Sequence, residues 1–200
     1  VAQTIFLTDG FITFVPAIIN IQNIQSMMDL KDKIRAIPDF PIKNITFRDV
    51  TTLMQDAEAF KKANDLFYQR YKNQQITKVV GIDARGFIFG SVLAYKLGAG
   101  FVPVRKKGKL PFDTITQKYD LEYGSSEVEI HRDAILPGER VVIIDDLIAT
   151  GGTAAAAAKL VEELGGIIVE CAFLVELPDL KGREAMMGLP VYSIISFDGD

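Results

Sequence analysis

Two neighbouring acids, Asp145 and Asp146, end an apolar run, and a small polar turn, Ala149-Thr150-Gly151-Gly152-Thr153, follows them. The run Val141-Val142-Ile143-Ile144 has the composition of a strand buried on both faces. In open α/β sheets the carboxyl ends of the strands face the ligand, so both carboxylates fall where a ligand is expected. The turn opens a predicted helix. Its unpaired backbone N–H groups, with the positive end of the helix dipole, make an anion site. Gly151 and Gly152 let the backbone approach a phosphate, and Thr150 and Thr153 add hydroxyl donors. Acids beside a phosphate repel it unless they face hydrogen-bond donors, and the 2′- and 3′-hydroxyls of a ribose 5-phosphate are such donors. A plain strand, turn and helix is the alternative, but it leaves adjacent buried acids without a partner, which is costly.

Two further segments suit anions. Asp83-Ala84-Arg85-Gly86-Phe87 ends one predicted strand and begins a helix; an ordinary turn with a surface arginine fits those residues equally well. Arg105-Lys106-Lys107-Gly108-Lys109 is a basic run at another strand end. It reads either as a solvated cationic surface or, beside two phosphate turns, as a means of neutralising a diphosphate.

The segment Val141 to Thr153 resembles the phosphoribosyl-diphosphate signature of the type I phosphoribosyltransferases, and the similarity extends over roughly Met28 to Phe197. The resemblance implies transfer of a 5-phosphoribosyl group to a purine base, adenine first, with Mg²⁺ accompanying the diphosphate. Xanthine, hypoxanthine or orotate as the acceptor base, or a non-catalytic sensor of the phosphoribosyl donor, are the alternative functions. By the same resemblance Arg85 sits in the diphosphate loop, and Arg105 and Lys109 contact diphosphate, with Lys106 a further candidate. Tyr119-Asp120-Leu121-Glu122-Tyr123-Gly124 is similar to the family's lid motif, with Tyr123 at the substrate and Glu122 as a proposed acid. A plain exposed glutamate is the alternative for Glu122. Phe40 to Asp49 resembles the adenine-recognition loop, which works through backbone groups near Thr46 and Arg48. There Lys43-Asn44 replaces the usual Pro-Gly, and Asn44 is the residue best suited, after glycine, to a positive φ. Phe47 fits either the base or the core. Family members are typically homodimers.

The elements that must position these groups read as one α/β domain. Two hundred residues allow a single core of this kind. Strands are expected at 78–83, 101–104, 140–145, 167–175 and 191–195, and helices at 29–37, 51–71, 87–97 and 153–164. Ala154 to Ala158 are strong helix formers where a helix is due. The alternation implies a parallel sheet covered by helices on both faces, and the resemblance implies an open, twisted, mainly parallel, Rossmann-like form of it with a small N-terminal hood. The Lys-, Gly- and Thr-rich stretch from Arg105 to Ile130 is expected to be a mobile lid hairpin.

Composition sets limits. A net charge of -4 argues against a protein that coats nucleic acid. The single cysteine, Cys171, rules out an internal disulfide and reads as a core residue in a reducing, cytoplasmic setting. His131 reads as a surface residue. Residues 1–27 are apolar and nearly uncharged, lack the basic start of a secretory signal, and are broken by Pro16. They are expected to be a dispensable extension, with residues 28–200 forming the domain.

Overall fold

A computed structural model describes residues 7–8, 11–12, 30–120 and 125–199. Two short pairs lead the chain: β1 (Leu7–Thr8) against β2 (Phe11–Ile12), and β3 (Arg35–Ile37) against β4 (Phe47–Asp49), both antiparallel. Then come α1 (Thr51–Gln55), α2 (Ala57–Tyr71), β5 (Lys78–Ile82), α3 (Arg85–Leu97) and β6 (Gly100–Lys106). A hairpin, β7 (Thr114–Asp120) and β8 (Ser125–His131), precedes β9 (Arg140–Ile148) and α4 (Gly152–Glu163). The chain closes with β10 (Ile167–Glu176), a 3-10 turn at Pro178–Leu180, α5 (Gly182–Ala185) and β11 (Val191–Ser196).

Seven strands form one sheet in the order β11-β10-β9-β5-β6-β8-β7. The run from β11 to β6 is parallel, while β8 joins β6, and β7 joins β8, antiparallel. Val141 to Ile144 of β9 are fully buried at the sheet centre, as their unbroken apolar run requires. One face packs on α2 and α3 through Phe67, Phe89 and Leu93. The other carries α4, where Ala154, Ala156, Ala157 and Ala158 are buried and bring the helix close to the sheet. Glu170 ties α2 to β10 by accepting from Tyr71 Oη at 2.6 Å and Arg70 Nη2 at 2.6 Å.

Two expectations change. The helix expected over 29–37 gives way to strand β3: Leu30, Ile34 and Ile37 keep helical spacing, but Arg35 to Ile37 pair with Phe47 to Asp49. The helix expected over 51–71 breaks at Asp56, whose carboxylate caps α2 by accepting from the amides of Glu58 and Ala59 at 3.1 Å. The stretch from Arg105 to Ile130, expected to be a lid hairpin, is built around one, β7 against β8. Arg105 and Lys106 complete β6, and β7 and β8 extend the sheet with Ile115, Val128 and Ile130 buried. Alternating apolar residues in each arm supply the reason. The tip, 121–124, lies outside the described residues.

Candidate active site

The site forms at the carboxyl ends of β5, β6 and β9. A cleft of about 250 Å³ there is lined by Asp83, Arg85, Arg105, Lys106, Tyr119, Asp145, Asp146 and Thr153. Against it lies a smaller hollow of about 120 Å³ lined by Asp145 and by residues 147 to 154. Asp145 lines both, so it stands between them. The signature acids, the glycine turn, the Arg85 turn and the start of the basic run are thereby brought together. A larger cavity, about 700 Å³, sits beside Leu30, Lys33 and α2. Its charges serve local structure: Lys33 pairs with Asp56, which caps α2, and Asp65 pairs with Lys96.

The small hollow has the form of a phosphate cup. Gly151 is left-handed at φ +78° and is the N-cap of α4, with no side chain capping that helix end. The first amides of α4 are therefore left to meet an anion. A Cβ on Gly151 would lie 2.4 Å from the Gly182 carbonyl oxygen, so both conformation and space demand glycine there. Thr150 and Thr153 flank the turn, as expected.

The two acids behave differently. Asp146 is 5% exposed and pairs with Arg85, Nε to Oδ2 2.5 Å. Burial alone would lower the Arg85 guanidinium, but the charge and hydrogen bond of Asp146 outweigh it, and the net direction is up. Asp145 accepts from the Asp146 amide at 2.8 Å. Burial, then the charge of Asp146, push its carboxyl well above the usual carboxylate range. Gly86 makes room for this arrangement: a Cβ there would meet the Ile144 carbonyl oxygen at 2.7 Å and Asp145 Oδ1 at 2.9 Å. The Asp83–Ala84 peptide bond in the same turn is cis.

The basic run is also held. Arg105 Nε reaches Asp83 Oδ2 at 2.9 Å, and its Nη1 donates to the Lys109 carbonyl at 3.1 Å. Beneath them Glu129, 3% exposed, accepts from the amides of Lys109 at 2.8 Å and Leu110 at 2.7 Å. Burial would raise the Glu129 carboxyl, but the amides of Leu110, Gly108 and Lys109 outweigh it and hold it below its ordinary value. Sequence reasoning missed Glu129. Its signal is faint, an acid at a position of β8 whose neighbours Val128 and Ile130 are core.

The expected base loop carries its turn. Asn44 has φ +70°, and its amide donates to Asp39 Oδ1 at 2.8 Å. Phe47 packs edge-on against Phe40, ring centroids 5.4 Å apart. The Arg48 guanidinium lies 4.0 Å from the Phe197 ring centroid, and Thr46 is partly buried. Asp49, at the end of β4, contributes to the potential at Arg85, which links this loop to the cleft. His131 Nε2 donates to the Pro111 carbonyl at 2.6 Å, a structural bond. Glu122 and Tyr123 lie outside the described residues.

Comparison with known proteins agrees with this geometry. The phosphoribosyl transferase domain family matches residues 49–195. An adenine phosphoribosyltransferase of Desulfosudis oleivorans is 61% identical over 173 residues, 86% of this chain and 100% of the relative. Among solved structures, adenine phosphoribosyltransferase from Rhodothermus marinus superposes with a TM-score of 0.83 at 49% identity, covering 87% of this chain and 99% of that one. The Saccharomyces cerevisiae enzyme, complexed with an imino-altritol bisphosphate and adenine, gives 0.83 at 41% identity, covering 86% and 99%. On the acids, the glycine turn and these matches together, the chain belongs to the phosphoribosyltransferase family.

Proposed function

We infer that the protein is an adenine phosphoribosyltransferase, a pentosyltransferase that converts adenine and 5-phosphoribosyl 1-diphosphate to AMP and diphosphate. One observation carries the reading: Asp145 lies between the phosphate cup and the cleft that holds Arg85 and Arg105. A ribose 5-phosphate seated in the cup meets Asp145 and Asp146 with its hydroxyls. Its 1-diphosphate then points toward Arg85, Arg105, Lys106 and Lys109. As the diphosphate leaves, positive charge develops on the sugar and negative charge on the leaving group. The site's task is to align the base, hold the departing charge and exclude water. The donor set suits Mg²⁺, since diphosphate and ribose oxygens with nearby carboxylates are hard ligands. Asp145 and Asp146 would orient the sugar hydroxyls that help hold the ion, and the ion would neutralise diphosphate charge.

Thr46 and Arg48 are the base-side contacts in this reading, acting mainly through their backbone, with Glu122 as the acid and Tyr123 a substrate contact. Glu122→Ala should then lower turnover while leaving diphosphate binding unchanged; full turnover would remove Glu122 as the acid. Residues 28–200 form the working domain, a reading supported by the 173 residues that account for the whole of the Desulfosudis relative. A homodimer is supported by Ile88 and Tyr95, exposed seven residues apart on α3, with Phe112 also exposed. Analytical ultracentrifugation tests it, and a monomer at micromolar concentration would end it. A cytoplasmic setting is supported by the single cysteine, Cys171, which leaves no internal disulfide to form. Among the described residues no helix is long and apolar enough to cross a membrane.

The deciding experiment incubates the protein with the phosphoribosyl donor, Mg²⁺ and each base in turn, following nucleotide formation. AMP should form with adenine. Turnover only with hypoxanthine, xanthine or orotate would reassign the base, and no turnover with any base would favour the donor-sensing regulator.

A further inference from the structure

The turn that forms the phosphate cup is not held by its own side chains, since no side chain caps α4. Its support comes from the far end of β10. Glu176 ends that strand, in register with Ile148 of β9 immediately before the turn, and with Ser196 of β11. The next amide, Leu177, donates to the Ile148 carbonyl at 3.1 Å. The chain then loops out through Pro178–Leu180, reverses at Lys181 with φ +55°, and returns as α5. Gly182 brings its backbone directly onto the cup. A Cβ on Gly182 would lie 2.4 Å from the Ala149 carbonyl oxygen, and one on Gly151 would lie 2.4 Å from the Gly182 carbonyl oxygen.

A helix of four residues cannot hold that position by itself. Arg183 ties it down. Its Nε and Nη2 grip Glu176 Oε1 at 2.5 Å and Oε2 at 2.6 Å. Nη1 donates to the Val191 carbonyl at 2.8 Å, and Ser193 Oγ donates to Glu176 Oε2 at 2.6 Å. A lysine could not reproduce this planar two-pronged grip. Buried Met186 helps anchor the end of α5.

We propose that Arg183 and Glu176 are positioning residues for the transfer reaction, a brace that fixes Gly182 against residues 149 and 151 and so sets the shape of the 5′-phosphate cup. The proposal rests on the reading of that turn as the 5′-phosphate site. Arg183 touches no substrate; it acts through Gly182. Loosening the brace should therefore harm one substrate fragment and spare the other. The carboxylate stays ionised for this role: the Arg183 hydrogen bonds, against burial and with help from Ser193, hold Glu176 below its ordinary value.

The test titrates the full chain with ribose 5-phosphate and, separately, with Mg²⁺-diphosphate, by calorimetry. Arg183→Met should weaken ribose 5-phosphate about tenfold, on the scale expected when a binding group shifts by a fraction of an ångström to about 1 Å. Mg²⁺-diphosphate should stay within about twofold of the parent. Arg183→Lys should fall between, because it keeps the charge and loses the fork. Glu176→Gln, nearly the same size, gives the same reading should Arg183→Met fail to fold. Equal weakening of both ligands, or unchanged ribose 5-phosphate affinity, overturns the brace. If the parent protein itself does not bind ribose 5-phosphate, the phosphate-site reading fails instead, and the two failures are told apart.

Discussion

Asp146→Asn separates two roles that share one carboxylate. Without substrate, Asp146 holds Arg85 at 2.5 Å. With substrate, it is to accept from ribose hydroxyls while Arg85 turns to the diphosphate. The carboxylate is 7% exposed and the arginine side chain 42% exposed, so water screens one side of the pair. Exposed pairs contribute at most about 1 kcal/mol and broken buried ones about 3–5 kcal/mol; with solvent screening, a figure of about 1 kcal/mol is appropriate here. Diphosphate must overcome that to recruit Arg85. Asparagine removes the charge that holds the arginine, so diphosphate alone should bind about fivefold tighter. The ribose hydroxyls lose a charged acceptor, about 1.5–3 kcal/mol, so ribose 5-phosphate should bind about 10- to 150-fold weaker. Isothermal titration with each fragment, Mg²⁺ present, measures both. The two shifts have opposite signs, which general damage to the fold does not produce. Weakening of both fragments, or unchanged ribose 5-phosphate affinity, would refute the reasoning.

Gly151→Ala combines a left-handed backbone, about 1–2 kcal/mol unfavourable for an L side chain, with a backbone collision at Gly182. AMP affinity should fall at least tenfold by titration, and parent-like affinity would show that the cup is not where the phosphate sits. Asp145→Asn tests the raised carboxyl. A raised folded-state pKa contributes stability that is full below the ordinary carboxylate range and is lost as pH rises through the folded value. The neutral variant should therefore melt at or above the parent Tm at pH 8, and the difference should close toward pH 4, while turnover is lost. A Tm deficit of the same size at both pH values would contradict it. Glu129→Gln removes the charge that gathers the amides of Lys109 and Leu110. The KM for the phosphoribosyl donor should rise about three- to tenfold with the adenine KM unchanged in steady-state assays, from the loss of about 1 kcal/mol in positioning the basic run. An unchanged donor KM would leave Glu129 with a purely structural role.

The sequence made the centre of this molecule readable and left its supports obscure. Val141 to Ile144 read as a fully buried strand, and the acids followed by a glycine turn marked its carboxyl end and the start of α4. Asn44 was readable because few residues besides glycine accept its φ of +70°. Local pattern misled at Arg35 to Ile37, where Leu30, Ile34 and Ile37 have helical spacing but pairing with Phe47 to Asp49 wins. The hairpin was readable from the weak alternation around Tyr119 to Tyr123 and Glu127 to Ile130, but its polar, Gly- and Lys-rich ends hid that β8 continues the main sheet beside β6. Least readable were the ion pairs. Nothing local joins Arg85 to Asp146 or Arg105 to Asp83, pairings that follow only once the sheet order is fixed, and Arg183 meets Glu176 only through the turn at Lys181.

These internal pairs bear on how the site recognises its donor. Asp145 and Asp146 together at one strand tip are an unstable arrangement in isolation. The structure relieves it by biasing Asp145 toward its protonated form and setting Arg85 against Asp146. Arg105 is neutralised in the same way by Asp83. On the proposed reading, a ligand carrying only the sugar phosphate would take up Asp146 but leave Arg85 beside a satisfied acid. A ligand carrying only diphosphate draws Arg85 away and exposes Asp146 to Asp145 without its counter-charge. The intact donor replaces both halves of the broken pair at once, hydroxyls for the carboxylate and diphosphate for the guanidinium. Its binding free energy should therefore exceed what the fragments suggest separately, because the cost of opening one ion pair is met once and compensated on both sides. On the proposed reading, a site built this way should be stable when empty and should favour the complete phosphoribosyl diphosphate over its hydrolysis products.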